Sequence, residues 1–117
     1  MSLTLTEAAG GPEGEAELAA CLELRRRVFI EEQGVSEADE RDGRDGEAVH
    51  LLARWDGAPA GTLRVRVVDG AAKLERVCVL PEHRGRGIGA ALTRAALERM
   101  TGVAGVREAK LGAQVPV

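Results

Sequence analysis

LERVCVLPEHRGRGIGAAL, residues 74–92, holds a strand-like run, a proline, two arginines interleaved with three glycines, and the start of an amphipathic helix. The run to Leu80 has the β-branched and apolar content of a strand. From Ile88 onward, Ala91, Leu92, Ala95 and Ala96 recur at helical spacing toward Met100, with Arg94 and Glu98 on the opposite side. Between them, Gly85, Gly87 and Gly89 stand at alternate positions beside Arg84 and Arg86. A helix N-terminus carries unpaired N–H groups and about half a positive charge, so it binds anions where side chains leave room. Glycine leaves that room and adopts backbone angles that other residues resist. Arginine adds mobile charge suited to phosphate oxygens. The loop therefore reads as a grip on a diphosphate, made mostly by main chain where a strand meets a helix.

Other glycine-loop chemistries fit less well. GRGIGA satisfies the dinucleotide pattern G-x-G-x-x-A, but that reading needs parallel strands in a βαβ unit, and PEHR separates the strand from the first glycine. No G-x-x-x-x-G-K-[ST] occurs, which removes a P-loop.

Upstream of the loop, AVHLLARW, GTLRVRVV and KLERVCVL read as three strands joined by turns at Asp56-Gly57 and Asp69-Gly70, an antiparallel meander. In the middle run, Leu63, Val65 and Val67 alternate with Thr62, Arg64 and Arg66, which predicts one dry face and one wet face. SLTLTE reads as a short first strand ended by the turn cluster AAGGPEG at 8–14. Leu18, Cys21, Leu22, Val28 and Phe29 predict a helix from about Glu15 to Gln33, stopped by Gly34. Residues 31–47 hold eight acidic and two basic side chains and no hydrophobic period, and read as a solvated loop or a short irregular helix. VREAKLGAQV, 106–115, reads as a last strand that returns beside the meander by a crossover. The expected fold is one α+β domain over 1–117, with a mixed, mostly antiparallel sheet and flanking helices. Stopping at a strand is expected to leave an open edge, or one that a second chain covers in a homodimer.

Composition narrows the function. The 117 residues suit one core, and the net charge of −3 with a single Phe, a single Trp and no Tyr argues against nucleic acid. Two cysteines, Cys21 and Cys78, and two histidines, His50 and His83, suggest neither a disulfide scaffold nor a metal site. With no apolar stretch long enough for a membrane and no signal-peptide pattern, the expected setting is the cytoplasm, with reduced thiols.

With these residues in view, the chain resembles the GNAT superfamily of acetyl-CoA-dependent N-acetyltransferases. Arg84-Gly85-Arg86-Gly87-Ile88-Gly89 follows the pattern Arg/Gln-x-x-Gly-x-Gly/Ala, after a strand ending Val79-Leu80-Pro81. RRRVFIEEQGV, HLLARWDGAPAGTLRV and KLERVCVLPEHRGRGIG further resemble small bacterial members with an Arg-x-x-Val-Phe-x-x-Glu-Gln helix, and the likeness runs from about Leu22 to Gln114. The resemblance implies the acyl-CoA N-acyltransferase fold, lacking its usual last helix and strands. It implies that Arg84 to Gly89 wrap the diphosphate of acetyl-CoA through backbone amides, while Val77, Cys78 and Val79 pair with the pantetheine arm as with a peptide strand. The acceptor is expected at the helix end, with Glu32 and Gln33 attracting a small-molecule amine. Many members supply a Tyr to protonate the departing thiolate, and this chain has none.

Acetyl transfer to an amine needs a neutral amine, and alkyl ammonium groups ionise near pH 10, so a base is required. Glu75 is the candidate base, expected on one strand face with Val77 and Val79; the competing reading pairs it with Arg64, Arg66 or Arg76 in a ladder. A backbone N–H near Cys78 or Val79 would polarise the thioester carbonyl. Cys78 is expected to pack, sharing its alternation with Leu74 and Leu80, His50 to be a hydrogen-bonded core histidine, and His83 to lie exposed. The expected activity is direct acetyl transfer to a primary amine of a small molecule or aminoacyl compound. The alternatives are a non-catalytic acyl-CoA-binding module and an acyl-homoserine-lactone synthase-like acyltransferase.

Overall fold

In a computed structural model, which describes residues 2–8 and 12–111, five strands form one sheet in the order β1 to β5. These are β1 (Leu3–Glu7), β2 (Val49–Trp55), β3 (Ala58–Val68), β4 (Ala71–Val79) and β5 (Glu108–Leu111). The first four run antiparallel and β5 lies parallel to β4, so the expected crossover is present; 112–115 of the expected last strand lie outside the described residues. Both hairpins turn on Asp-Gly pairs with positive φ at each residue, Asp56-Gly57 and Asp69-Gly70, the geometry that matches strand twist. Of the turn cluster at 8–14, residues 9–11 lie outside the described residues.

Two helices cover opposite faces. The first, α1 (Glu15–Arg25), continues without interruption as a π-helix over Arg26–Glu32 and places Cys21, Leu24, Val28 and Phe29 against Leu52, Cys78 and Leu80. The short α2 (Glu37–Glu40) follows, capped by Ser36, whose Oγ accepts from the Asp39 amide at 3.1 Å. On the other face, α3 (Ile88–Met100) sets Ile88, Leu92, Ala96 and Met100 on Leu51, Leu63, Leu74, Val77 and Val79. No helix among the described residues is long and apolar enough to cross a membrane.

The strand face under α1 departs from expectation. The face of β3 read as wet is dry: Thr62, Arg64 and Arg66 are buried, while Val67, read as core, is half exposed. The acidic segment is the reason. It takes the second expected form, a short irregular helix made of α2 and a 3-10 turn over Asp45–Glu47, but it is not solvated: it folds back so that Glu40 sits 2% exposed against Arg25, and Asp42 and Asp45 bond Arg64. Asp45 also takes Arg25 at 2.7 Å, and Arg76 reaches the carbonyls of Asp39 and Glu40. Buried guanidinium groups need opposite charges close by, and this run supplies them.

Candidate active site

The centre of the site is a break in β4. Between Arg64↔Glu75 and Thr62↔Cys78 the register advances two residues on β3 and three on β4, a bulge in which Arg76 takes φ 54°. A bulge shifts the alternation by one residue. Leu74, Val77 and Val79 consequently face α3, whereas Cys78 and Leu80 face α1. Glu75 stands opposite Arg64 on the α1 side. This corrects the expectation that Glu75 shares a face with Val77 and Val79, and that Cys78 shares one with Leu74. An unbroken period of two cannot carry the phase change.

Glu75 is held by arginines. Its carboxylate accepts from Arg66 Nε at 2.6 Å and Nη2 at 3.0 Å, and from Arg64 Nη2 at 3.1 Å. These bonds, Arg66's foremost, hold its carboxyl below the usual glutamate range against the opposing effect of burial. The ladder with Arg64 and Arg66 is thus present, and Glu75 is fully ionised at neutral pH. Cys78 is wholly buried, and burial pushes its thiol up to about 12, so it packs rather than reacts.

Past β4, a 3-10 turn over Pro81–His83 leads into the glycine loop. Gly85 and Gly87 take φ 85° and 76°, and a Cβ built on either meets nothing within 4 Å. Gly87 is the N-cap of α3 and brings no side-chain hydrogen bond; the first bond that closes the helix is Ala91 N–H to the Gly87 carbonyl, 3.0 Å. The N–H groups ahead of Ala91 therefore have no partner inside the helix. They open on a cavity of 260 Å³ lined by Val79, Arg84, Gly85, Gly87 and Gly89 among others. That is below the roughly 300–1,000 Å³ of pockets that enclose a drug-sized ligand. It suits a charged group gripped by main chain, and these residues fit the diphosphate of a coenzyme. Beyond Leu74, β4 has no ladder partner on the β5 side among the described residues, so Val77 to Val79 can pair with an extended arm.

Both loop arginines have protein partners. Arg84 donates from Nε to the Val79 carbonyl at 2.9 Å and from both Nη atoms to Glu32 at 2.7 and 2.6 Å. Arg86 lies 4.7 Å above the Trp55 ring centroid, with Nη1 2.7 Å from His83 Nδ1. Trp55 was not singled out by sequence reasoning; a lone indole at a hairpin end gives no sign of which cation will stack on it. His83 is half buried rather than exposed.

The structure brings Glu32 to the glycine loop, and the Arg84 pair lowers its pKa. Gln33 closes the π-helix at an exposed position, its N–H bonding the Val28 carbonyl at 3.1 Å. Glu31 pairs with Arg26 instead. His50 is the expected core histidine: Nε2 lies 3.0 Å from the Asp45 carbonyl, and burial lowers its pKa.

Comparison with known proteins agrees with this geometry. A Bacillus subtilis protein that carries an acetyltransferase name is 41% identical over 103 residues, 86% of this chain and 69% of that protein. The uncharacterized N-acetyltransferase YjcF of the same organism is 36% identical over 100 residues, covering 86% and 71%. The crystal structure of an acyl-CoA N-acyltransferase from Pseudomonas aeruginosa superposes with a TM-score of 0.82 at 31% identity, over 97% of this chain and 80% of that one. The sequence profile of the acetyltransferase (GNAT) family matches residues 18–116. With that match laid over an uncapped helix start that opens beside β4, the chain belongs to the acetyltransferase (GNAT) family of acetyl-CoA-dependent acyltransferases.

Proposed function

We propose that this chain moves an acetyl group directly to a primary amine of a small molecule or aminoacyl compound. The observation that carries the reading is the glycine-entered, uncapped start of α3, which opens on a cavity at the end of β4. Bound there, acetyl-CoA supplies a thioester acyl group. The unpaired amides from Gly87 onward bind the diphosphate, with Arg86 and Ile88 setting the loop around it. The backbone of Val77, Cys78 and Val79 orients the pantetheine arm, and a main-chain N–H near Cys78 or Val79 polarises the acyl carbonyl. Glu32 and Gln33 draw the cationic amine to the mouth.

The neutral amine attacks the acyl carbonyl, Glu75 accepts through a water the proton that the nitrogen then sheds, and as the C–S bond breaks the departing thiolate takes its proton from solvent. Because Arg66 and Arg64 keep Glu75 ionised, its own titration lies below the working range, and the rise of kcat/KM with pH follows deprotonation of the amine instead. A structural role for Glu75 is the second reading, favoured by its three hydrogen bonds to Arg64 and Arg66. Thiol release from acetyl-CoA with an amine panel tests the activity. For Glu75→Gln, the base role predicts a fall of about 10²–10⁴-fold in kcat/KM with coenzyme affinity unchanged. Full turnover across pH 6 to 9 would instead assign Glu75 to the ladder alone.

A further inference from the structure

The helix end on the expected acceptor side and the glycine loop are joined by one ion pair. Arg84 lines the cavity at the start of α3, and both of its Nη atoms are taken by Glu32. Among the described residues, the only other ionisable one in that lining is His83, so Glu32 neutralises the one permanent cation described there. The pair is also accessible: the side chains of Arg84 and Glu32 are 25% and 37% exposed, against 0% and 2% for Arg25 and Glu40. Solvated partners exchange at little cost, whereas a pair buried like Arg25 and Glu40 does not.

We infer that Glu32 and the coenzyme diphosphate compete for the Arg84 guanidinium, so that coenzyme binding frees the Glu32 carboxylate for the acceptor amine. This rests on the acetyl-CoA reading above. A guanidinium binds carboxylate and phosphate through the same planar, two-pronged geometry, so the two anions are exchangeable ligands for one edge of Arg84. The Nε bond to the Val79 carbonyl keeps the side chain beside β4 while that exchange occurs. By linkage, the coupling is reciprocal: an amine that draws Glu32 away from Arg84 tightens coenzyme binding by the same factor. Glu32 is thus a positioning residue for the coenzyme as well as part of the acceptor mouth. The neighbouring pair of Arg26 with Glu23 and Glu31 lies within one helix, spans no two elements, and provides the control.

The test is a double-mutant cycle read by calorimetric titration of coenzyme A at fixed ionic strength, without turnover. The proteins are the native chain, Glu32→Gln, Arg84→Gln, the double variant, and Glu31→Gln. Glu32→Gln is expected to tighten coenzyme A binding by about two- to fivefold, the scale of an exposed ion pair. The same change made on Arg84→Gln, and Glu31→Gln alone, are expected to leave affinity where it was. Unchanged or weakened binding in Glu32→Gln overturns the inference. So does tightening that persists without Arg84, because that is a general charge effect. A native chain that fails to bind coenzyme A sinks the acetyl-CoA reading itself, whereas tight binding with a flat cycle sinks only the competition.

Discussion

Gly61 and Gly87 lack side chains for opposite reasons. A Cβ on Gly61 would lie 2.9 Å from the Cys78 carbonyl oxygen and 3.2 and 3.3 Å from Ile88 and Leu92, so this glycine sets how closely α3 sits on the sheet. Gly61→Ala is expected to cost about 1–3 kcal/mol, the usual penalty of overpacking, read as a lower denaturant midpoint. At Gly87 a Cβ meets nothing, and only the left-handed backbone resists it. Gly87→Ala should cost about 1–2 kcal/mol and, because the new methyl projects into the open space at the helix start, also weaken coenzyme A binding. Gly61→Ala tests packing and Gly87→Ala tests the site. Gly87 was legible in the sequence because alternate glycines before a helix have a local meaning. The partners of Arg84 and Arg86 were not, since Glu32 and Trp55 are distant in the chain and nothing local selects them.

At the scale of elements, the acidic segment from α2 to β2 is a strap. Arg25, fully buried, binds Glu40 and Asp45, so Arg25→Met takes from the buried Glu40 carboxylate its hydrogen-bonded cation and leaves it only Arg76 Nε, 3.7 Å away. The expected loss is about 3–5 kcal/mol in chemical denaturation. The strap also sets how stability depends on pH. Burial lowers the pKa of His50, so below the unfolded value near 6.5 the unfolded chain takes up a proton that the folded one refuses, and stability falls as pH falls. The groups that act on the imidazole are Asp45, which favours its proton, and Arg25 and Arg64, which oppose it. A second decline belongs to the carboxylates. Asp42 is held well below the usual range by Arg64. Asp45 is lowered by Arg25 and Arg64, although burial alone would raise it. Their stabilisation is present above the unfolded value near 4 and is lost as pH falls through their folded values. Denaturant midpoints at pH 7, 5 and 3 should show both steps, and His50→Gln should remove the first.

For the whole molecule, α1 and α3 clamp opposite faces of the sheet, and β4 contributes to both cores through its bulge. If coenzyme A binds only the folded chain, at about 100 times its Kd it should raise unfolding stability by about 2.7 kcal/mol, measured in denaturant. No such gain would mean that the folded chain does not bind coenzyme A. The sequence by itself determined the strand order of the meander, the crossover and the glycine-entered helix. Asp56-Gly57, Asp69-Gly70, Gly85 and Gly87 each act through their own backbone angles and need no distant partner. Only the tertiary structure decided which way Glu75 faces, why the arginines of β3 are buried, and that Glu32 meets Arg84. The bulge requires a positive φ at Arg76, which no local preference of arginine supplies; its guanidinium is anchored instead on the carbonyls of Asp39 and Glu40. Buried charge likewise has no local signature, because its cost is set by how near the opposite charge lies in the folded chain.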